Sequence, residues 1–257
     1  MLISLSIIDP LSSRPNPMEK EMPNQNASSP MCTIRSLQKI LEIIDAIPEN
    51  TCGGPQPRFL YDLCLRCTGK GAIVEIGTDA GKSTIALAYA QQTRRGAPIS
   101  TIDIVEHAEI ETNLSRANVT AFVNRIVRSS REVAASWSDP IELLWIDGDH
   151  SYKGVCEDIE SWADKILPGG FMAFHDYPDM GGKVLGPVGR AVYAKILSRP
   201  DLWRVIADRQ AGSILVFEKM PSIVQMESGY AAKRFEKASF FLAGLRRRLT
   251  NKLRRHQ

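Results

Sequence analysis

Apolar residues recur along the chain with two spacings. Between about 33 and 44 they lie three or four residues apart, which predicts an amphipathic helix. A Gly-Gly-Pro loop at 53–55 follows, and the same spacing predicts a second helix at about 57–68. Beyond residue 70 the pattern changes to short apolar runs, which are typical of buried strands.

Seven such runs are predicted to be strands. They are AIVEI (72–76), PISTID (98–103), RIVR (125–128), IELLWID (141–147), GFMAFHD (170–176), WRVIAD (203–208) and SILVFEK (213–219). Helical patterns at about 82–94, 108–122, 152–166 and 187–199 separate most of them. The order predicts an α/β fold with a Rossmann-like, mostly parallel seven-stranded sheet and helices on both faces. The short RQAG link before the last run suits a hairpin, so the last strand should be antiparallel.

Three segments are predicted from composition. Residues 1–32 are rich in Pro, Ser and Asn and are expected to be disordered, because they bury too little apolar surface to offset the ordering entropy. Residues 33–220 form the predicted catalytic or binding domain. Residues 221–257 form a predicted basic amphipathic helix, in which leucines at 245, 249 and 253 are surrounded by arginines.

Charge is distributed unevenly between the body and the tail. From 233 to 257 there are nine Lys/Arg and one Glu, a net +8, whereas the other 232 residues carry 23 basic and 28 acidic side chains, a net −5. The tail could contact an anionic membrane surface or dock on the body or on a second copy in a homodimer. The acidic body argues against nucleic acid. The sequence has no apolar run long enough to span a membrane, and its N-terminus does not resemble a secretory leader. We therefore expect cytoplasmic residence, with peripheral contact at the inner membrane surface.

The five cysteines are odd in number and irregular in spacing, which argues against a disulfide framework. Cys64 and Cys67 form a C-x-x-C without a second ligand pair. We expect them to be packing residues.

The stretch AIVEIGTDAGKST, 72–84, has two interpretations. A phosphate-binding loop requires four residues between its glycines, and Gly77 and Gly81 enclose three. The alternative is a glycine-rich turn that lets the backbone approach another nucleoside cofactor closely. Strand two ends in Asp103, whose carboxylate could bind ribose hydroxyls or cap the next turn.

The segment from 143 to 177 contains D-G-D-H-S-Y, P-G-G and H-D-Y. Together with E-x-G-x-x-x-G at 75–81, it resembles the class I S-adenosylmethionine (SAM) methyltransferases, in a family that also has members named as cephalosporin-hydroxylase-like. The resemblance covers about 55–219. It implies a SAM-dependent methyltransferase, with O-methylation of a small molecule, sugar or glycan expected. The cofactor-binding residues that it implies are Glu75, Gly77, Thr78, Gly81, Ser83, Asp103, Ser130 and Asp147.

Five titratable residues follow strands four and five: Asp147, Asp149, His150, His175 and Asp176. The pattern is similar to that of the metal-dependent catechol and caffeoyl-CoA O-methyltransferases. That similarity implies a divalent ion (Mg, Mn or Fe) held by Asp147, His175 and Asp176. His150 then falls where those enzymes place a lysine base, so it is the predicted catalytic residue. Two alternatives remain open here: metal-free catalysis by a histidine, and Asp147 and Asp149 acting as helix caps.

The sequence leaves two further hypotheses about the function open. A histidine–aspartate pair with another carboxylate resembles an iron triad, which would indicate a hydroxylase-like member of the family. A SAM-binding scaffold recruited to membranes by its tail would be non-catalytic. The glycine-rich loop 178–189 is expected to cover the acceptor pocket, with Lys183 and Arg190 meeting the substrate.

Overall fold

The computed structural model describes residues 35–48, 52–177 and 186–221. The predicted N-terminal tail, most of the covering loop with Lys183, and the basic tail beyond 221 lie outside these residues. The strands are β1 Ala72–Ile76, β2 Ile99–Asp103, β3 Val123–Val127, β4 Ile141–Ile146, β5 Ile166–Phe174, β6 Trp203–Gln210 and β7 Ile214–Lys219. The helices are α1 Leu37–Asp45, α2 Gln56–Leu65, α3 Lys82–Arg94, α4 Ile110–Ala117, α5 Ser130–Ser136, α6 Tyr152–Trp162 and α7 Pro187–Val192, which a π-helical turn at Tyr193–Leu197 extends.

The seven strands form one sheet in the order β3-β2-β1-β4-β5-β7-β6. Strands β1 to β5 are parallel to their neighbours among themselves, and β7 is antiparallel to both β5 and β6. The predicted fold class and the terminal hairpin are therefore confirmed. Strand order reverses between β1 and β4, and at such a point an open α/β sheet has a crevice beyond its strand ends.

Two cores cover the two faces of the sheet. Helices α1 to α4 pack on one face, where Leu143, Trp145 and Ala173 are fully buried. Helices α5 to α7 pack on the other face, against Leu144, Ile146 and other buried strand residues. Alternate residues of the central strands thus enter different cores, and this explains why these strands read as continuous apolar runs.

Helix α4 ends at Ala117, five residues before the predicted end, and two other elements differ more from the sequence prediction. Helix α5 follows β3 directly and was not predicted, because its seven residues include only two buried apolar side chains, Val133 and Ala134. Strand β5 begins at Ile166, earlier than predicted, and its register with β4 shifts before Phe171. Gly169, with φ +83°, lies in that irregularity.

The described cysteines are free and buried. Cys64 is a buried residue of α2 and Cys67 follows the end of that helix, and both belong to the core, so their predicted packing role is confirmed. Burial raises the pKa of the Cys64 thiol to about 12. None of the helices in the described ranges is long and apolar enough to cross a membrane.

Candidate active site at the carboxyl edge of the sheet

The turn after β1 touches the turn after β4 through their backbones. Gly77 has φ +91°, and a Cβ built on it would lie 2.2 Å from the carbonyl oxygen of Asp147. Gly81 has φ +89°, and its Cβ would meet the Ile110 side chain at 2.4 Å. Gly77 is therefore required by its packing against the Asp147 backbone, whereas at Gly81 the Ile110 side chain could move and the positive φ is what favours glycine.

Glu75 lies inside the protein beneath this turn and is fully buried. Thr84 donates a hydrogen bond to its Oε2 at 2.6 Å, and its Oε1 has no partner among the described residues. Burial raises the pKa of Glu75 to about 7, an effect that the hydroxyls of Ser83, Thr84 and Thr101 partly offset. An unpartnered buried carboxylate oxygen is costly, so this atom is a candidate acceptor for a ligand donor or a water.

Asp103 joins the end of β2 to the turn after β1. Its carboxylate accepts hydrogen bonds from the backbone N–H of Thr78 at 2.8 Å and of Val105 at 3.0 Å. Nε2 of His107 lies 3.5 Å from the same carboxylate. The residue thus has the turn-capping role that the sequence left open, and it also lines a small cleft with Thr78, His107 and Arg125.

The hydroxyl of Ser130 is engaged between two helices. It donates to Asp158 at 2.6 Å and accepts from the indole N–H of Trp162 at 2.8 Å. Burial raises the pKa of Asp158 to about 6. Ser130 therefore hydrogen-bonds to residues of α6. The other predicted cofactor-binding residues surround the turns after β1, β2 and β4.

Four side chains after β4 and β5 form what we call the strand-tip cluster: Asp147, His150, His175 and Asp176. Oδ1 of Asp147 lies 2.9 Å from Nδ1 of His175 and 3.2 Å from Nε2 of His150. Asp176 lies 3.3 Å from Nδ1 of His175 and 3.4 Å from Nδ1 of His150. The parallel β4–β5 pair brings together residues that are about 30 positions apart in sequence.

Burial and charge distinguish the members of this cluster. The side chain of His175 is 9% exposed, whereas that of His150 is 48% exposed. Burial opposes the charged form of His175, but the hydrogen bond and charge of Asp147 outweigh it and raise the pKa. The hydrogen bond to Asp147 likewise raises the pKa of His150. Burial alone would raise the pKa of Asp147, yet the two imidazoles lower it.

Asp149 has a different task from Asp147. Its carboxylate accepts hydrogen bonds from the backbone N–H and the hydroxyl of Ser151, at 2.8 and 2.9 Å. Ser151 in turn caps α6 through the N–H of Gly154. Neither aspartate caps α6, because Ser151 is its N-cap residue. Asp149 instead accepts hydrogen bonds from that serine, and Asp147 faces the histidines.

The donor set of the cluster suits a divalent ion. One ligand atom each from Asp147, His150 and His175 lies within 4.8 Å of the other two. This set differs from the predicted one in one member, because His150 takes the position expected for Asp176. Imidazole nitrogens with a carboxylate suit iron and manganese better than magnesium, which prefers oxygen ligands.

Gln56 is a member of the site that sequence reasoning missed. It is the first residue of α2, and its Oε1 lies 3.2 Å from Nε2 of His175. A glutamine 119 positions from its partner, outside every motif, gives no signal in the sequence. Trp145 is also close, with its indole ring edge-on to His175 at 5.7 Å between centroids.

Comparison with known proteins agrees with this architecture. Residues 74–177 match a family model described as a methyltransferase domain. The uncharacterized protein R132 of Acanthamoeba polyphaga mimivirus is 32% identical over 116 residues, which cover 41% of this chain and 51% of that protein. The chain thus spans about half the length of this curated relative.

Solved structures share the fold at low sequence identity. Cofactor-bound Rv0187 from MTB has a TM-score of 0.55 at 22% identity, covering 71% of this chain and 88% of that one. The O-methyltransferase TomG of Streptomyces achromogenes, in complex with SAM, has 0.54 at 17% identity, covering 74% and 93%. A Bacillus cereus O-methyltransferase, in complex with SAH, has 0.54 at 19%, covering 73% and 94%. Residues 74–177 thus match a methyltransferase domain model, and the described chain shares the fold of these methyltransferase structures.

Proposed function

We propose that the chain is a SAM-dependent O-methyltransferase acting on a hydroxyl of a small molecule, sugar or glycan, with a metal ion assisting. One observation carries the proposal: a half-exposed histidine, His150, shares the carboxylate of Asp147 with the buried His175 at the strand tips, against the glycine turn. The proposed base and the proposed metal ligands would thus lie beside the crevice where class I folds bind their cofactor.

The residues around the crevice fit SAM. The unpartnered Oε1 of Glu75 can accept a hydrogen bond from an ammonium group or from a water that bridges to it. Asp103 can accept hydrogen bonds from the ribose hydroxyls of SAM. The neighbouring Ile104 is 73% exposed and offers an apolar surface for the adenine ring. Bound SAM supplies an electrophilic methyl group, which the protein itself does not provide.

His150 is proposed to take the proton of the acceptor hydroxyl. Its ring is accessible, whereas His175 is nearly buried, so His150 is the histidine that an acceptor can reach. Asp147 and Asp176 flank the ring and would stabilise the imidazolium that forms. Holding the acceptor oxygen in line with the methyl group can contribute about 7–11 kcal/mol.

Asp147, His175 and Asp176 are proposed to hold the divalent ion, with manganese or iron favoured over magnesium. The ion would polarise the acceptor hydroxyl and lower its pKa. Two of the structural neighbours are described as O-methyltransferases, in complex with SAM and with SAH, which supports an oxygen acceptor for this chain.

Calorimetry followed by a turnover assay tests the proposal. The full chain is titrated with SAM, and SAH formation is then measured over a panel of catechols, glycosides and sugars, with EDTA, Mg²⁺ or Mn²⁺. Asp103→Ala should weaken SAM binding, and the exposed Asp201→Ala should leave it unchanged. Absence of SAM binding, or unaltered affinity in Asp103→Ala, would contradict the cofactor assignment.

A second candidate is an iron-dependent hydroxylase. The observation that favours it is the set of two histidines and one carboxylate within 4.8 Å, since this ligand type also serves non-haem Fe(II) oxygenases. Reconstitution with Fe²⁺ and measurement of oxygen uptake separate the two activities. The transferase requires SAM consumption without oxygen uptake.

The partners and location inferred from sequence remain proposals. Membrane or dimer contacts of the tail involve residues outside the described ranges. Binding of the full chain to anionic vesicles, compared with a chain ending before Lys233, tests the membrane contact. Retained SAM binding without turnover on any acceptor would favour the scaffold alternative.

A further inference from the structure

An exposed arginine and an exposed tyrosine form a contact between α6 and α7. Tyr152 is the first residue of α6, and Arg190 lies on α7. Both residues are exposed, and Cζ of Arg190 lies over the Tyr152 ring, 5.8 Å from its centroid. A cation at this distance is attracted to the face of the ring. The tyrosine therefore restrains the end of a long side chain that would otherwise move freely in solvent.

The chain itself places this contact next to the proposed base. Tyr152 is two residues after His150. Because consecutive Cα atoms are about 3.8 Å apart, the Cα atoms of these two residues are separated by about 7.6 Å at most. His150 is also exposed. An acceptor that contacts His150 therefore lies on the same part of the surface as Tyr152 and its arginine.

The charge of Arg190 differs from that of the neighbouring lysines in having no carboxylate partner among the described residues. Lys153 of α6 lies 3.6 Å from Glu157, and Lys195, which follows α7, pairs with Glu160. Within residues 35–48, 52–177 and 186–221, no carboxylate lies within ion-pair distance of Arg190. Its contact with the ring also leaves its N–H donors available, since the attraction acts between the charge and the ring face.

A guanidinium with available donors is suited to one kind of ligand group. Its N–H groups form a planar fork that matches two oxygens of a carboxylate or a phosphate. The strand tips close by carry the carboxylates of Asp147, Asp149 and Asp176, which repel an acidic molecule. A cation beside them would receive the charged end of such a molecule and turn its uncharged end toward His150.

We propose that Arg190 is a specificity-determining residue, which binds a carboxylate or phosphate group of the acceptor while Tyr152 holds the guanidinium in place. The methylated hydroxyl would then belong to an acidic compound, such as an aromatic acid, a uronic acid or a sugar phosphate. This inference rests on the proposed function, because it names the class of acceptor for the same reaction.

The first test measures binding and needs no turnover. Calorimetry on the full chain, with and without SAH, compares probes that differ in one charged group: protocatechuate with its alcohol, and glucuronate or glucose phosphate with glucose. Wild type should bind the acidic probe of at least one pair about 10- to 100-fold more tightly, the range expected for hydrogen bonds to a charged group. Arg190→Gln should remove this preference and leave the neutral probe unaffected. No preference in wild type, or a preference that survives in Arg190→Gln, overturns the inference.

Further variants separate the fork, the ring and the charge. Arg190→Lys keeps the charge without the fork and should give an intermediate preference. Tyr152→Phe keeps the ring and should behave as wild type, whereas Tyr152→Leu should weaken the preference. An unaltered preference in Tyr152→Leu would overturn the role of the tyrosine. The matched control is Arg199→Gln, because Arg199 is exposed but already lies 3.1 Å from Asp201, and it should leave the preference unchanged.

The outcomes distinguish this inference from the proposed function. If SAH forms, Arg190→Gln should raise KM for the acidic acceptor and leave kcat nearly unchanged, because His150 stays in place. Equal methylation of acidic and neutral acceptors by wild type would overturn this inference while the transferase activity stands. If the chain binds no SAM and methylates no probe, yet prefers acidic probes only while Arg190 is present, the proposed function fails and the anion site stands.

Discussion

The carboxylate of Asp147 lies between two imidazoles and contacts the more buried one, His175, at 2.9 Å. His150 shares the same oxygen from the exposed side at 3.2 Å. One acidic residue thus contacts both a buried histidine and an accessible one. Because of this difference in exposure, His175 is the proposed metal ligand and His150 is the proposed base.

The two histidines should respond differently to substitution. His150→Gln should lower methyl transfer about 10²- to 10⁴-fold, the usual contribution of a general base, while SAM and Mn²⁺ still bind. His175→Gln should lower methyl transfer and should also abolish Mn²⁺ binding. Calorimetry with each ligand and SAH formation are the measurements. If His150→Gln also loses Mn²⁺, His150 is a ligand, as in the two-histidine, one-carboxylate set.

The pKa of His150 should lie above its ordinary value of 6.5 in the metal-free chain, because Asp147 and Asp176 favour the imidazolium. The folded state then binds the proton more tightly than the unfolded state. Protonated His150 therefore stabilises the folded state below pH about 6.5, and this stabilisation is lost as the pH rises through the raised pKa. An NMR titration of the ring measures the midpoint. Asp176→Asn should lower the midpoint, and the distant Asp201→Asn should not.

Buried Glu75 should make the protein less stable as the pH rises. Its pKa is about 7 when folded against a usual 4.5, so the folded state holds more protons in this interval and the free energy of unfolding falls with pH. The shift corresponds to roughly 3 kcal/mol. Urea unfolding of Glu75→Gln between pH 4.5 and 7 should show a flatter profile than wild type. An equal slope in both proteins would refute the assignment.

Two glycines with nearly equal φ allow backbone strain to be separated from close packing. Gly169→Ala, with φ +83° and open space, should cost only the strain of a left-handed residue, about 1–2 kcal/mol. Gly77→Ala would also drive a methyl group against the Asp147 backbone. It should cost about 1–3 kcal/mol more and disturb SAM binding. Denaturant titration of both variants measures the difference, and equal losses would argue against the contact.

Metal binding should stabilise the folded chain. At a free Mn²⁺ concentration 100 times the dissociation constant, the gain is about 2.7 kcal/mol, and EDTA should reverse it. Mg²⁺ should give a smaller effect because one of the proposed ligands, His175, is an imidazole. Thermal unfolding with each ion measures this, with His175→Gln as the variant that should not respond.

The sheet was predictable because the strand pattern is strong. Short apolar runs identified all seven strands, and the short link before β7 identified the hairpin. Helix α5 was missed because seven residues with a serine cap carry too little periodicity to be recognised. A residue pattern predicts a helix or a strand well when many positions repeat the same apolar spacing.

The site was predictable only where its residues cluster in sequence. Asp147, His150, His175 and Asp176 follow two strands that the pattern had already placed. Gln56 belongs to a preceding helix, and only the packing of α2 near the end of β5 brings it to His175. The burial of Glu75 and the engagement of Ser130 by Asp158 also depend on tertiary packing, which a linear pattern does not encode.

The antiparallel direction of β7 brings a hairpin turn to the edge of the sheet where the strand-tip cluster lies. Because β7 runs against β5, the hairpin turn that precedes it arrives at the same edge as the strand tips. There the carbonyl of Ser213 accepts a hydrogen bond from the N–H of Tyr177, directly beyond Asp176, while its hydroxyl holds Gln56. A substitution at Ser213 would therefore act on Gln56, the neighbour of His175, without changing any charged group of the strand-tip cluster.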